Sequence, residues 1–306
     1  VSAETRRGAS PTAVPDDAAL PAGPESPASA EGFFRADGDR LLPAAFATSP
    51  WGRVLHGRLI GGLTARAAEQ ARAANPELAC GRLTIDLFRS AALAPVSVVT
   101  RSVRAGRRIA VLEVTIEQDD VPVGQGRAVL LRRSEQPGGT HRPAPAWDAP
   151  TPPQLGPPRS ASTPEWTAPW QSWPVGGPGR ADSPGGALTG GIWIREIHPL
   201  VTGERLTPLV RVAMAADLAS PVSNFSTRGL SFINADYTVY LGREPQGEYV
   251  GIQPAGHISE AGVAAGQCVV HDLRGAVGFV GTAAVANPTM GSQAAPVTGR
   301  EQAELA

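Results

Sequence analysis

The sequence contains no lysine; all 27 of its basic side chains are arginine. That excludes Schiff-base chemistry and the lysine that a phosphate-cradling P-loop needs. Cysteine is scarce: Cys80 and Cys268 lie in different halves, each inside an apolar run. Neither pairing nor ligand spacing is present, so both are expected as buried free thiols, with no metal site and no cofactor. No uncharged apolar run approaches the roughly 20 residues of a membrane helix. Residues 1–31 lack the continuous apolar core of a signal peptide, so a soluble, cytoplasmic protein without membrane insertion is expected. The 27 basic and 28 acidic residues nearly cancel, which gives no electrostatic reason for a nucleic-acid partner.

What the chain has in quantity is proline and glycine, unevenly spread. Residues 1–31 carry few large apolar side chains and cannot repay the entropy of ordering, so a disordered arm is expected there. Residues 135–187, "PAPAWDAPTPPQLGPPRSASTPEWTAPWQSWPVGGPG" among them, are too proline-dense for regular helix or a central strand. This stretch reads as a linker. Its tryptophans Trp147, Trp166, Trp170 and Trp173 either staple it to the surface or line an acyl-binding groove. Between and after these stretches lie two ordered blocks, 32–134 and 188–288, and then a flexible tail, 289–306.

The two blocks read as copies of one unit. Shifted by 154 positions, "TIDLFR" (Thr84–Arg89) falls on "TVYLGR" (Thr238–Arg243), and Val123-Gly124 falls on Val277-Gly278. Each copy predicts one helix followed by several strands. In the first, the helix is "RLIGGLTARAAEQARAA", stopped at Asn75-Pro76. In the second it is "ERLTPLVRVAMAADLAS". The strand "FINADYTVYL" (Phe232–Leu241) alternates strictly, with Ile233, Ala235, Tyr237, Val239 and Leu241 on an apolar face and Asn234, Asp236 and Thr238 opposite. The fold class is α+β.

Several runs carry a family resemblance: "HGRLIGGLTARAAE", "LTIDLFR" and "VRAGRRIAVLEVTI" in the first copy, then "RVAMAADLASPVSNF", "LSFINADYTVYLGREPQGEYVGI" and "VVHDLRGAVG" in the second. The chain resembles the acyl-CoA thioesterases of the thioesterase II type, in their actinobacterial branch. The resemblance implies a double hotdog, two tandem units each with an antiparallel sheet wrapped around a long helix. It also implies an acyl-CoA substrate, hydrolysed to free acid and CoA. A homo-oligomer is left open.

The family's water-positioning residues fall on Asp217, Asn234 and Thr282. Relatives have Thr where this chain has Asn234, and Gln where it has Thr282. A hydroxyl is shorter than the Gln amide and cannot donate two bonds, which makes Gln267 a candidate substitute. At the repeat offset the first copy has Cys80 and Ala128, so the polar set belongs to the second copy alone. Asp217 is expected as general base. Gly57, Gly61 and Gly62 would let a ligand approach the first helix closely, where backbone N–H groups could hold an oxyanion, and His56 would touch the substrate. Asp236 is expected to pair with an arginine, and Arg89, Arg107, Arg108 and Arg243 are candidates for CoA phosphates. A hydratase reading fails because His257 and His271 lack its compact Asp/His motif. The alternative is a degenerate homologue that binds acyl-CoA or acyl groups without hydrolysis.

Overall fold

The computed structural model describes residues 30–163, 166–176, 190–226 and 229–287. Apart from its last two residues, the arm expected over 1–31 lies outside the described residues, as does the tail expected over 289–306.

A 13-stranded sheet dominates the molecule. In chain order its strands are β1 (Phe34–Asp37), β2 (Arg40–Pro43), β3 (Leu78–Leu87), β4 (Val96–Ala105), β5 (Ile109–Gln118), β6 (Val121–Arg132) and β7 (Trp170–Pro174). They continue with β8 (Ile192–Glu196), β9 (Phe232–Asn234), β10 (Asp236–Leu241), β11 (Tyr249–Glu260), β12 (Val263–Asp272) and β13 (Gly275–Ala286). The spatial order is β1-β2-β4-β5-β6-β3-β10-β13-β12-β11-β8-β7, with β9 also paired to β13. Every ladder is antiparallel.

The repeat read from the sequence governs this order. The halves join where β3 pairs with β10, and there Thr84 faces Thr238, its own counterpart, with the hydroxyls 3.2 Å apart. Two related segments pair residue to equivalent residue only about a twofold axis, so the axis passes between these threonines. Leu87 faces Gly124 in the first half, and Leu241 faces Gly278 in the second.

The helices differ between the halves. α1 (Arg58–Arg72) is continuous and packs on β3, β5 and β6, burying Leu59, Ile60, Leu63, Ala67 and Ala68 at helical spacing. The second half, expected to carry one helix, has two: α2 (Pro208–Ala216) and α3 (Ala219–Asn224). Thr207 caps α2 by accepting from the Val210 N–H at 3.3 Å, and Pro208 occupies the first turn, where its missing N–H is harmless. Pro221 explains the break. A proline ring has no N–H to give to the carbonyl four residues back and clashes with it, and that carbonyl belongs to Asp217. The chain there falls back on tighter three-residue bonds, from the Leu218 N–H to the Ala215 carbonyl at 3.0 Å and from the Ser220 N–H to that of Asp217 at 3.4 Å.

One apolar core runs through both halves, from Leu59, Leu63 and Leu83 to Met214, Tyr237 and Ile252. Part of the proline-rich stretch joins it. β7 pairs with β8 at the outer end of the sheet, the edge position that proline tolerates, and its Trp170 is buried.

Candidate functional site

A single break in alternation aims the side chains of this site. β9 and β10 are separated at Ala235, and the register against β13 slips there: Asn234 faces Ala284, whereas Thr238 faces Gly281. The slip reverses the phase of the strand. Asn234 therefore shares the inward face with Tyr237 and Val239, both fully buried. Asp236 and Thr238 do not stand in a row with Asn234, as unbroken alternation predicted. The first half carries the same irregularity between Cys80 and Arg82.

Asp217 caps the C-terminus of α2 and is buried. Its Oδ1 accepts from the Asn234 amide at 2.9 Å, and its Oδ2 lies 3.7 Å from His56 Nδ1. Gly57, which caps α1, is close enough that a Cβ there would stand 4.0 Å from the same Oδ2. The carboxylate, ill placed at the end of its own helix, thus looks toward the start of the neighbouring one. Burial raises the Asp217 pKa, and the Asn234 bond and the charge of Arg58 partly offset it. Burial, with Arg58 second, lowers that of His56 to about 3. The Arg58 N–H donates to His56 Nδ1 at 3.4 Å, so the imidazole is neutral with its proton on Nε2.

Thr282 stands on β13 two residues before Ala284, the partner of Asn234, and is likewise buried. Its hydroxyl has no hydrogen-bond partner among the described residues. Gln267 alternates to the outside of β12 and is no substitute for it.

The glycines of α1 divide by role. Gly57 borders the carboxylate. Gly61 and Gly62, expected to admit a ligand, are covered by protein: a Cβ on Gly61 would lie 1.8 Å from the Tyr237 hydroxyl, and one on Gly62 2.9 Å from Met214. Their bareness lets α1 and α2 meet. The helix N-terminus is also partly occupied, since the Leu59 and Ile60 N–H groups bond the carbonyls of His56 and Gly57.

Sequence reasoning missed Arg58 and Glu196. Both are wholly or almost wholly buried, and Arg58 Nη2 donates to Glu196 Oε1. The guanidinium lies 4.2 Å from the centre of the Trp170 ring, while Trp170 faces Glu196 across the β7–β8 ladder. Trp166 and Trp170 also flank His56, at 6.4 and 5.7 Å between ring centres. Trp166 is anchored by its Nε1–H, which donates to the Thr48 carbonyl at 2.9 Å. An arginine inside the otherwise apolar "HGRLIGG" was the available signal.

Two other expectations fail. Asp236 finds no arginine partner among the described residues; its Oδ1 accepts from the Ala283 N–H at 2.7 Å. Arg243 is consumed by a two-pronged pair with Asp272, both contacts 2.6 Å, and by the Gly275 and Ala276 carbonyls.

Residues 47–131 match the family described as acyl-CoA thioesterase N-terminal domain, and residues 142–281 match the acyl-CoA thioesterase C-terminal domain. The chain belongs to the acyl-CoA thioesterase family. Asp217 and Asn234 fall within the second match and His56 and Gly57 within the first, so this thioesterase family member assembles the cluster from both domains. Among solved structures, the acyl-CoA thioesterase II TesB2 of Mycobacterium marinum is similar at 17% identity, covering 87% of this chain and 96% of that one, with a TM-score of 0.55. A hot dog fold protein of unknown function from Alicyclobacillus acidocaldarius is similar at 18% identity, covering 83% and 95%, with a TM-score of 0.58. At such identities the likeness shows a hotdog-type fold and no more. No curated protein sequence matches the chain.

Proposed function

We propose that the protein hydrolyses acyl-CoA thioesters by direct attack of water, with Asp217 as general base. The observation that carries this reading is the hydrogen bond from the Asn234 amide to Asp217. It holds one carboxylate oxygen and leaves the other facing His56 and Gly57, where a water and a thioester carbonyl would meet. Asn234 orients the base, and the Thr282 hydroxyl, without a partner among the described residues, supplies a further anchor for the water. The Gly57 N–H, at the positive end of α1, is the donor best placed to meet the developing oxyanion. No acyl-enzyme forms at this site, and no cofactor is required. We read the architecture as a double hotdog, with units 32–134 and 188–288 joined by the Pro/Trp-rich linker, and the substrate as acyl-CoA.

The test is a thiol-release assay over short, medium and long acyl-CoAs, with Asp217→Asn as the decisive variant. The expected result is turnover lowered by about 10²-fold or more with the fold retained. Unchanged turnover would remove Asp217 from the mechanism. A second reading, binding without hydrolysis, is favoured by Thr282, which is shorter than the family's glutamine. Measurable acyl-CoA binding with no CoA release at any chain length would establish it instead.

A further inference from the structure

On the same half, three side chains outside the Asp217 cluster form a hydrogen-bonded chain. His257 Nδ1 stands 2.8 Å from Asn224 Oδ1, and its Nε2 stands 2.9 Å from Ser259 Oγ. Asn224 closes α3, is almost wholly buried, and donates its amide nitrogen to Ser220 Oγ at 3.3 Å. With its nitrogen turned to Ser220, the amide presents its oxygen to the imidazole. An amide oxygen only accepts, so Nδ1 carries the proton and Nε2 carries the lone pair. The Ser259 hydroxyl must then donate to Nε2, which is the arrangement that makes a serine nucleophilic.

Register places this chain on the inward face, apart from the first cluster. His257 faces Gly266, which faces Thr282; Ser259 faces Ala264, which faces Ala284, which faces Asn234. Cross-strand neighbours point the same way. Ser259 therefore lies three strands from Asn234, roughly 14 Å at ordinary strand spacing. Gly266 makes the relay possible: a Cβ there would stand 2.0 Å from Ser223 Oγ and 3.0 Å from Asn224 Oδ1. The Phe232 ring flanks the imidazole at 5.8 Å. His257 and Ser259 are exposed, so an incoming group can reach them. The first-half counterparts of these two, Val103 and Ala105, cannot do this chemistry.

We propose that Ser259 is a second nucleophile of this protein, activated by His257 and oriented through Asn224, and that it accepts acyl groups from activated esters and thioesters. In the first step the Ser259 Oγ–C bond forms and its proton passes to His257 Nε2. The bond from carbon to the leaving sulfur or oxygen breaks, and the leaving group takes that proton. Water then attacks the acyl-serine, giving one proton to Nε2 and releasing the acid as the proton returns to Ser259. Beyond Ile252, β11 has no ladder partner on its outer edge among the described residues.

The test uses the full chain and diisopropyl fluorophosphate, which forms a P–O bond to an activated serine as fluoride leaves. Peptide mass mapping is expected to place the adduct on Ser259. Ser259→Ala should abolish it, and His257→Gln should slow it by about 10²-fold. Asp217→Asn should label at the wild-type rate, which separates this site from the proposed water-attack site. No adduct at Ser259 in the wild type, or equal labelling of His257→Gln, would overturn the proposal.

Discussion

The Arg58 guanidinium lies against the indole of Trp170, 4.2 Å from its centre, so the segment between the halves closes over the head of α1. Such a contact combines large apolar burial with cation–π attraction. Trp170→Ala should therefore destabilise the fold by about 3–5 kcal/mol, and Trp170→Phe by clearly less. Urea midpoints at constant m-value measure both. Equal midpoints for wild type and Trp170→Ala would show that β7 is dispensable.

The pair beneath the indole makes a second prediction. Arg58 and Glu196 are buried together, and each keeps one polar atom without a partner among the described residues: Arg58 Nη1 and Glu196 Oε2. Removing one charge strands the other in the interior, so Arg58→Met should cost about 3–5 kcal/mol. Replacing both, as Arg58→Met with Glu196→Leu, should recover much of that loss, because the desolvation of two ions disappears with them. A double variant as unstable as the sum of the singles would contradict this account.

What the sequence announced, and what it hid, divide along physical lines. The duplication was legible because sheet pairing preserves register, and the 154-residue offset reappears as Thr84 meeting Thr238. Asp217 and Asn234 were legible by resemblance. The face of "FINADYTVYL" was misread, because a one-residue slip at Ala235 leaves no mark on hydrophobic alternation yet turns Asp236 and Thr238 away. The helix break was readable in principle from Pro221, whose clash point is Asp217. Arg58 with Glu196, and Trp170 above them, depend on contacts between distant segments, which no local pattern encodes.

Gly61 and Tyr237 should behave as a coupled pair. The Tyr237 hydroxyl donates to the Ala213 carbonyl at 2.9 Å through the space that a Gly61 side chain would fill. Gly61→Ala should destabilise by about 1–3 kcal/mol through overpacking. Tyr237→Phe should cost about 1 kcal/mol for the lost hydrogen bond. In the Tyr237→Phe background the Gly61→Ala penalty should shrink, and a double-mutant cycle on unfolding free energies reads the coupling. Strict additivity would show that the helix adjusts without touching the ring.

The final prediction concerns pH, where two neighbours pull in opposite directions. The Asp217 pKa is raised by burial above the ordinary carboxylate value it regains on unfolding. The folded state therefore holds that proton more tightly, and stability falls as pH rises through the window between the unfolded and folded values. At neutral pH the buried carboxyl group is a standing burden, so Asp217→Asn should be more stable than wild type there. That gain should vanish on acidification below the ordinary carboxylate range. His56 has the reverse sign. Its pKa falls from 6.5 to about 3 on folding, so stability is lost as pH drops from 6.5 toward 3, and His56→Gln should flatten that decline. Denaturant midpoints measured from neutral pH down to about pH 3 separate the two effects, because the two variants change the slope in opposite senses. If Asp217→Asn is less stable than wild type at neutral pH, then Asn234 and Arg58 outweigh the burial of the carboxylate, and its base strength has to be assigned to them.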